Sequence, residues 1–331
     1  MRQRFATLSC PWPTMERTSL EIAAGAGGMA IGLERAGFRP VALVDIDPHA
    51  VQTLRANRPD WPVIQADAST FDASRYVGVD LLAGGIPCPP FSIAGKSLGP
   101  ADERDLFPAI IRLAREVRPQ AIVVENVRGL MRKRFAPYRA FITESIQQLG
   151  FVVFWRVLNA VDFGLPQHRP RAILVALRPE FAPYFRWPEP QGCEITVGGL
   201  LAAEMASAGW ELAAEWSRKA SGIAPAIVGG SKRHGGPDLG PTRARMAWRK
   251  VHVDARGLAD VPPGRGFTGM PKLTVHMAAL LQGFPADWRF CGGKTAAYRQ
   301  VGNAFPPPVA EAVGRAVMSA LRRDDIGAQG Y

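Results

Sequence analysis

Short apolar runs and amphipathic stretches alternate along the first half of the chain. Val41 to Val44, Val79 to Ala83, Ala121 to Val124 and Arg171 to Leu177 are compact runs rich in Val, Ile and Leu. That is the pattern of strands buried on both faces of a parallel sheet. Between them Leu106, Ile110, Leu113, Ala114 and Val117 recur at steps of three and four, as do Tyr138, Ile142, Ser145, Ile146 and Leu149 ahead of Gly150. This spacing predicts helices with one apolar face, the second ended by a glycine. Strand–helix alternation predicts an α/β fold built on a doubly wound, Rossmann-like sheet.

The pattern breaks after Pro179. Residues 180–270 are rich in Gly, Pro and Trp and show little sustained period. Regular structure returns near Leu273, and Val309, Ala312, Val313, Ala316, Val317, Ala320 and Leu321 mark a strongly amphipathic helix after Pro306-Pro307-Pro308. That helix needs a core to pack on, and the α/β layer is the candidate. The expected organisation is a large α/β domain begun by residues 1–179, a smaller inserted domain at 180–270, and a return to the first domain over 271–331.

Length and composition narrow the function. A chain of 331 residues accommodates about two domains, and 47% hydrophobic with 21% charged residues is an ordinary globular balance. No apolar run approaches the ~18 residues of a membrane span, and residues 1–20 lack the apolar core of a secretory signal. The expectation is a cytoplasmic, nucleoid-associated protein with no membrane partner, and nothing demands more than a monomer. Cys10, Cys88, Cys193 and Cys291 lie far apart without a paired CxxC or a His cluster, which argues against a zinc site, or any metal, and against a disulfide framework. One of them remains a candidate catalytic thiol. Forty Lys and Arg against 29 Asp and Glu give a formal charge of +11, which suits a polyanionic partner such as nucleic acid. The excess is concentrated between Arg218 and Arg256, where nine basic residues face two acidic ones, the footprint of a phosphate-contacting surface.

Four motifs carry candidate chemistry. Gly25-Ala26-Gly27-Gly28 lies between a predicted strand ending near Ile22 and a helix running to Ala36, where a glycine turn lets the backbone approach a nucleotide-like ligand. Asp45 follows about 20 residues on, at the end of the next strand, where an acid binds ribose hydroxyls. Asp67 ends a third short strand, Pro62 to Gln65, and is placed for an adenine edge. These three fit NAD or S-adenosylmethionine. Next, Gly84-Gly85-Ile86-Pro87-Cys88-Pro89-Pro90-Phe91-Ser92 puts a thiol at the carboxyl edge of the sheet. Glu125-Asn126-Val127 brings a carboxyl to the end of the following strand. In Gln167-His168-Arg169-Pro170-Arg171 the two arginines share one side of an extended segment and suit phosphate or a carbonyl oxygen, while His168 points away.

Together these residues resemble the DNA cytosine-5 methyltransferase family of bacterial restriction–modification systems, along nearly the whole chain. Gly25–Gly28 resembles its first motif, and Asp45 and Asp67 fall at the second and third. Pro87-Cys88 resembles its catalytic motif, Glu125-Asn126-Val127 its ENV motif, and Gln167-x-Arg169-x-Arg171 its QxRxR motif. Leu273-Thr274 through Leu281-Gln282-Gly283-Phe284-Pro285, and Gln300-Val301-Gly302-Asn303-Ala304, resemble its last two. Order and spacing both match, and the irregular basic stretch falls where the family carries its target recognition domain. Three departures stand out: Ala23 where the family has the aromatic that stacks on adenine, Asp45 for the more usual Glu, and Pro89-Pro90 after the cysteine instead of Gln-Gly.

The resemblance implies a chemistry. Cys88 adds to carbon 6 of a flipped-out cytosine; Glu125 protonates ring nitrogen 3; Arg169 and Arg171 hold the carbonyl oxygen and a nearby phosphate. S-adenosyl-L-methionine is the implied cofactor, with Gly25, Gly27, Gly28, Asp45, Ile46, Asp67, Ala68, Pro87, Asn303 and Ala304 around it. Double-stranded DNA is the implied partner, beside a cognate restriction endonuclease encoded nearby. Ser92, Lys96 and Arg104 fall on a lid-like segment placed to grip DNA, while Lys232, Arg233, Arg243 and Arg245 are candidates in the target domain. A tRNA cytosine-5 methyltransferase and a catalytically silent DNA-binding homologue are alternative readings; a nicotinamide oxidoreductase leaves Pro87-Cys88 and Asn303 unexplained.

Overall fold

The computed structural model describes residues 16–86, 105–229 and 236–323. Alternating elements fill the first half: β1 (Arg17–Ile22), α1 (Gly28–Arg35), β2 (Phe38–Asp45), α2 (Pro48–Asn57), β3 (Val63–Gln65), β4 (Leu81–Gly85), α3 (Phe107–Val117), β5 (Ala121–Val127), α4 (Ala136–Gln147), β6 (Val152–Asn159), the two-residue β7 (Gln167–His168) and β8 (Pro170–Leu177). Each apolar run noted in the sequence overlaps a strand, although β4 starts at Leu81, two residues into the Val79–Ala83 run. Seven strands form one sheet in the order β3-β2-β1-β4-β5-β8-β6. β3, β2, β1, β4 and β5 are parallel to their neighbours, but β8 runs antiparallel to both β5 and β6. The expected all-parallel arrangement therefore ends at β5. The link over 160–169 is too short for the crossover of a dozen or more residues that a parallel return needs. β6, whose Val152 to Trp155 is apolar, is an edge strand, with Val152 and Val157 38% and 37% exposed.

Alternation along each strand sorts side chains between two layers. Leu82, Ile122, Val124 and Leu174 face α3 and α4, meeting Ile110, Leu113 and Ile142. Leu81, Ala83, Val123 and Val175 face the other way, against α1 and a C-terminal helix that contributes Val309, Val313 and Val317. β2 and β4 lie on opposite sides of β1, so the chain reverses direction across the sheet at β1 and β4. A crevice opens beyond the carboxyl ends of strands at such a point.

The second half contains α5 (Val197–Ala206), α6 (Ala213–Lys219), the short β9 (Ala224–Pro225), α7 (Thr242–Lys250), α8 (Val275–Leu281), α9 (Lys294–Asn303) and α10 (Pro307–Arg322). Three helices thus lie where the sequence shows no sustained period. α6 is too short to display one, and α7 buries a single residue, Trp248. Leu201, Met205, Trp210, Trp216 and Trp248 share a core with Met277 and Leu281 of α8 and with Leu54 and Trp61 beside α2. Phe181 to Trp187 instead pack on the α10 side of the sheet. No helix among the described residues is long and apolar enough to cross a membrane.

Candidate active site

The carboxyl ends of β1, β2, β4 and β5 surround a cavity of about 570 Å³. Its floor begins where β1 breaks. Ala23, Gly25 and Gly27 all take positive φ, of 50°, 54° and 88°. A Cβ on Gly25 would meet nothing within 4 Å, whereas one on Gly28 would lie 2.2 Å from the Phe305 carbonyl oxygen. The turn is therefore open toward the cavity at Gly25 and pressed against the chain before α10 at Gly28. Asp45, ending β2, accepts from the Gly25 and Asp47 amides at 2.7 Å each. It fixes the turn and lines the cavity. Burial raises its pKa and the backbone hydrogen bonds partly offset that. Ile46 is exposed beside it.

Gly85 and Ile86, at the end of β4, line the cavity, as do Glu125 and Arg171. Arg171 Nε meets Glu125 Oε1 at 2.8 Å. Burial pushes the Glu125 carboxyl up, while the charges of Arg171 and then Arg169 pull it down. Asn126 turns aside and donates to the Ile86 carbonyl at 3.2 Å, tying β5 to the chain two residues before Cys88. Pro87, Cys88, Ser92, Lys96, Arg104, Lys232 and Arg233 lie outside the described residues. Asn303 and Ala304 line the opposite wall.

Several expected site residues sit elsewhere. Asp67 is exposed and folds onto its own turn, accepting from the Ser69 amide and hydroxyl at 2.8 and 2.7 Å, which lowers its pKa. Ala68 is buried in the α3 layer. Neither lines the cavity, because β3 is only three residues long and the chain turns away at its end. Arg169 is corrected most. It is 1% exposed and does not open into the cavity; its guanidinium is spent on the carbonyls of Ile227, Gly302 and Ala304. It cannot hold a substrate carbonyl while so engaged. On α7, Arg243 is exposed, whereas Arg245 pairs with Asp238 at 2.9 Å and donates to Gly240 O.

The structure adds residues that the motifs did not single out. Glu21 and Arg299 line the cavity, with Asp47 and the segment Ala226 to Gly229. Glu21 is 1% exposed, and its Oε2 has no hydrogen-bond partner among the described residues. Desolvation first, and then the Asp45 charge, raise its pKa well above the usual carboxylate range. Its only signal in the sequence was a carboxylate set between Leu20 and Ile22, near the end of β1. Arg299 approaches Asp47 at 3.5 Å across the rim. No group of metal-ligating side chains occurs among the described residues.

A glycine turn, a carboxylate on the next strand and a buried Glu–Arg pair, all at the switch point of a sheet, define a Rossmann-like methyltransferase site. The family model for C-5 cytosine-specific DNA methylase matches residues 17–319, and the chain belongs to that family. It is 53% identical over 314 residues to the type II methyltransferase M.NaeI of Lentzea aerocolonigenes, covering 93% of this chain and 76% of that one. It is 51% identical over 321 residues to M.NgoMIV of Neisseria gonorrhoeae, covering 94% and 100%. Among solved structures, Spodoptera frugiperda DNMT2 superposes with a TM-score of 0.65 at 16% identity, covering 91% of this chain and 99% of that one. The Entamoeba histolytica methyltransferase EhMeth does so at 0.64 and 13%, covering 93% and 99%. These two establish the fold alone. The protein is a DNA cytosine-5 methyltransferase and uses S-adenosyl-L-methionine.

The cavity fits that cofactor. Gly25 leaves its backbone open to a ligand, Asp45 presents a carboxylate for hydroxyls, and Glu21 holds an unpartnered oxygen where a cationic group can neutralise it.

Proposed function

We propose that the chain methylates cytosine within one short double-stranded sequence by covalent catalysis from Cys88, and that it does so as a monomer in the cytoplasm, at the nucleoid, beside a cognate restriction endonuclease. The observation that carries this reading is the Glu125–Arg171 pair. It is buried at the end of β5, one strand from the Gly85-Ile86 end that leads to Cys88, and it opens into the same cavity as Gly25 and Asp45.

Carbon 5 of cytosine is a poor nucleophile because reaction there breaks aromaticity. Addition of the Cys88 thiolate to carbon 6 makes carbon 5 enamine-like. Glu125, whose pKa burial raises against the pull of Arg171 and Arg169, donates a proton to ring nitrogen 3 and relieves the charge that builds there. Arg171 orients that carboxyl and stabilises the adduct electrostatically. Gly25, Asp45, Glu21, Asn303 and Ala304 would hold S-adenosyl-L-methionine, which supplies an electrophilic sulfonium methyl group. Loss of the carbon-5 proton to water, return of the nitrogen-3 proton to the Glu125 carboxylate and expulsion of Cys88 as thiolate then restore the ring. The target base must leave the duplex stack, at a cost of about a few kcal/mol. Residues 1–179 and 271–331 form the catalytic domain and 180–270 the target recognition domain in this reading. Lys96 and Arg104 would contact phosphate and Arg243 the duplex.

The test is expression in a host lacking cytosine methylation, with 5-methylcytosine mapped across its genome beside a Cys88→Ala copy. One short motif methylated by the wild type alone is the expected result. Methylation by the Cys88→Ala copy, or none from a folded wild type, would overturn the reading.

A further inference from the structure

Arg169 and Gln167 look away from the cavity and fasten together two pieces of chain that line it. Arg169 donates to Ile227 O at 2.6 Å, to Gly302 O at 2.7 Å and to Ala304 O at 2.8 Å. Gln167 accepts from the Ile227 amide at 3.0 Å and donates to Leu281 O and Gln282 Oε1 at 2.8 Å each. Gln282 in turn donates to Val301 O at 2.7 Å. One fastened segment, 226–229, leads from β9 into the basic module; the other, 302–304, ends α9. Both line the cavity.

The two segments also touch directly. A Cβ on Gly302 would lie 2.3 Å from both the Cα and the N of Gly229, and one on Gly229 would lie 2.6 Å from Asn303 Oδ1 and from Arg299 O. Neither glycine has a positive φ, so backbone conformation does not demand glycine at either position. Gly302 even falls inside a helix, where glycine is disfavoured. Close approach of two backbones is the remaining physical reason for both.

We infer that Arg169 and the Gly229–Gly302 contact form a lock that couples the two ligands of this enzyme. The segment entering the DNA-reading module and the segment carrying Asn303 and Ala304 move as one, so each ligand raises the affinity of the other. Arg169 is then a positioning residue. The inference rests on the function proposed above. Its chemistry follows from the parts: carbonyl oxygens from two segments converge on one buried, charged fork, and desolvation makes that fork costly unless all three acceptors stay in place. A shift of either segment breaks the arrangement. Coupling between binding sites is reciprocal by thermodynamic necessity.

The experiment measures binding of S-adenosylhomocysteine by calorimetry, with and without a short duplex carrying the mapped motif, and of that duplex with and without S-adenosylhomocysteine. In the wild-type chain each ligand tightens the other by the same factor, in the range of about 5- to 150-fold. In Gly302→Ala, Gly229→Ala and Arg169→Lys, each checked for folding by thermal melting, that factor falls toward one. A purely structural Arg169 would change single-ligand affinities and melting temperature but leave the factor in place. Gly229→Ala, outside any helix or strand, decides the matter if the other two variants fail to fold. An unchanged factor in folded variants, or a factor of one in the wild type, overturns the lock. A wild type that binds S-adenosylhomocysteine but no duplex overturns the proposed function instead, and the lock with it.

Discussion

Glu125 and Arg171 form a diagonal cross-strand pair. Glu125 lies opposite Ile173 in the β5–β8 register, and Arg171, two residues before Ile173, reaches back to the carboxylate at 2.8 Å. Their opposed effects set the protonation of the site. Burial favours the neutral acid, and the guanidinium favours the carboxylate. Activity that needs the neutral acid falls as pH rises through the elevated pKa. Replacing Arg171 with Gln removes the charge that lowers it, so the alkaline limb of the kcat profile should move to higher pH. Glu125→Gln removes the proton donor and should lower kcat by about 10² to 10⁴ with little change in duplex affinity. An alkaline limb that stays put or moves down in Arg171→Gln would contradict this assignment.

Much of this site was legible in the sequence because its chemistry sits at strand ends. Gly25, Asp45, Gly85 and Glu125 each follow an apolar run, and a doubly wound sheet delivers such positions to one crevice. Asp67 fails the same logic because three-residue β3 ends too early and an Asx turn captures the side chain. Arg169 and Arg171 do share a side of the chain, but period two says nothing of depth. Only Arg171 reaches the cavity, while Arg169 is covered by Ile227 and Gly302 from far along the sequence. Of the inserted helices, α6 and α7 stayed hidden because each is short and buries little beyond one tryptophan, Trp216 or Trp248, whereas α5 does carry Val197, Leu201 and Met205 at steps of four.

Glu21 should make stability depend on pH. Its raised folded-state pKa means that the fold binds a proton which the unfolded chain, near the ordinary glutamate value of about 4.3, has already released. That stabilisation is fully present below the unfolded value and is lost as pH rises through the folded one. Glu21→Gln keeps the shape but cannot ionise. The variant should melt near the wild type at acidic pH and several degrees above it at pH 8, on the scale of about 2–4 °C per kcal/mol for a chain of this size or a little smaller. Thermal melts of both proteins without cofactor across that range check it; a constant difference would show that Glu21 does not titrate with folding.

The contact between α1 and α10 returns the end of the chain to the first domain, and Gly32 permits it. A Cβ there would lie 2.5 Å from Ala310 Cβ and from Pro307 O, and 2.6 Å from the Glu311 amide. Alanine gains about 1 kcal/mol of intrinsic helix propensity over glycine. Overpacking against backbone that cannot move aside costs about 1–3 kcal/mol, so the clash should win. Gly32→Ala is expected to lower the melting temperature by a few degrees. A higher melting temperature would mean that α10 does not sit on α1 as described.

The arginines of α7 should behave differently on DNA. Arg243 is exposed and makes no ion pair or side-chain hydrogen bond among the described residues, while Arg245 is held by Asp238 and the Gly240 carbonyl. A free guanidinium can neutralise a phosphate and release its counterion, whereas a paired one must first give up its partner. Arg243→Ala should weaken duplex binding and reduce the slope of log K against log salt by about one. Arg245→Ala should leave that slope nearly unchanged, because a guanidinium already paired with Asp238 neutralises no phosphate. Fluorescence anisotropy of a labelled duplex over a salt series separates them. Equal slopes for the two variants would show that the Asp238 pair opens on binding, and would put both arginines on the DNA.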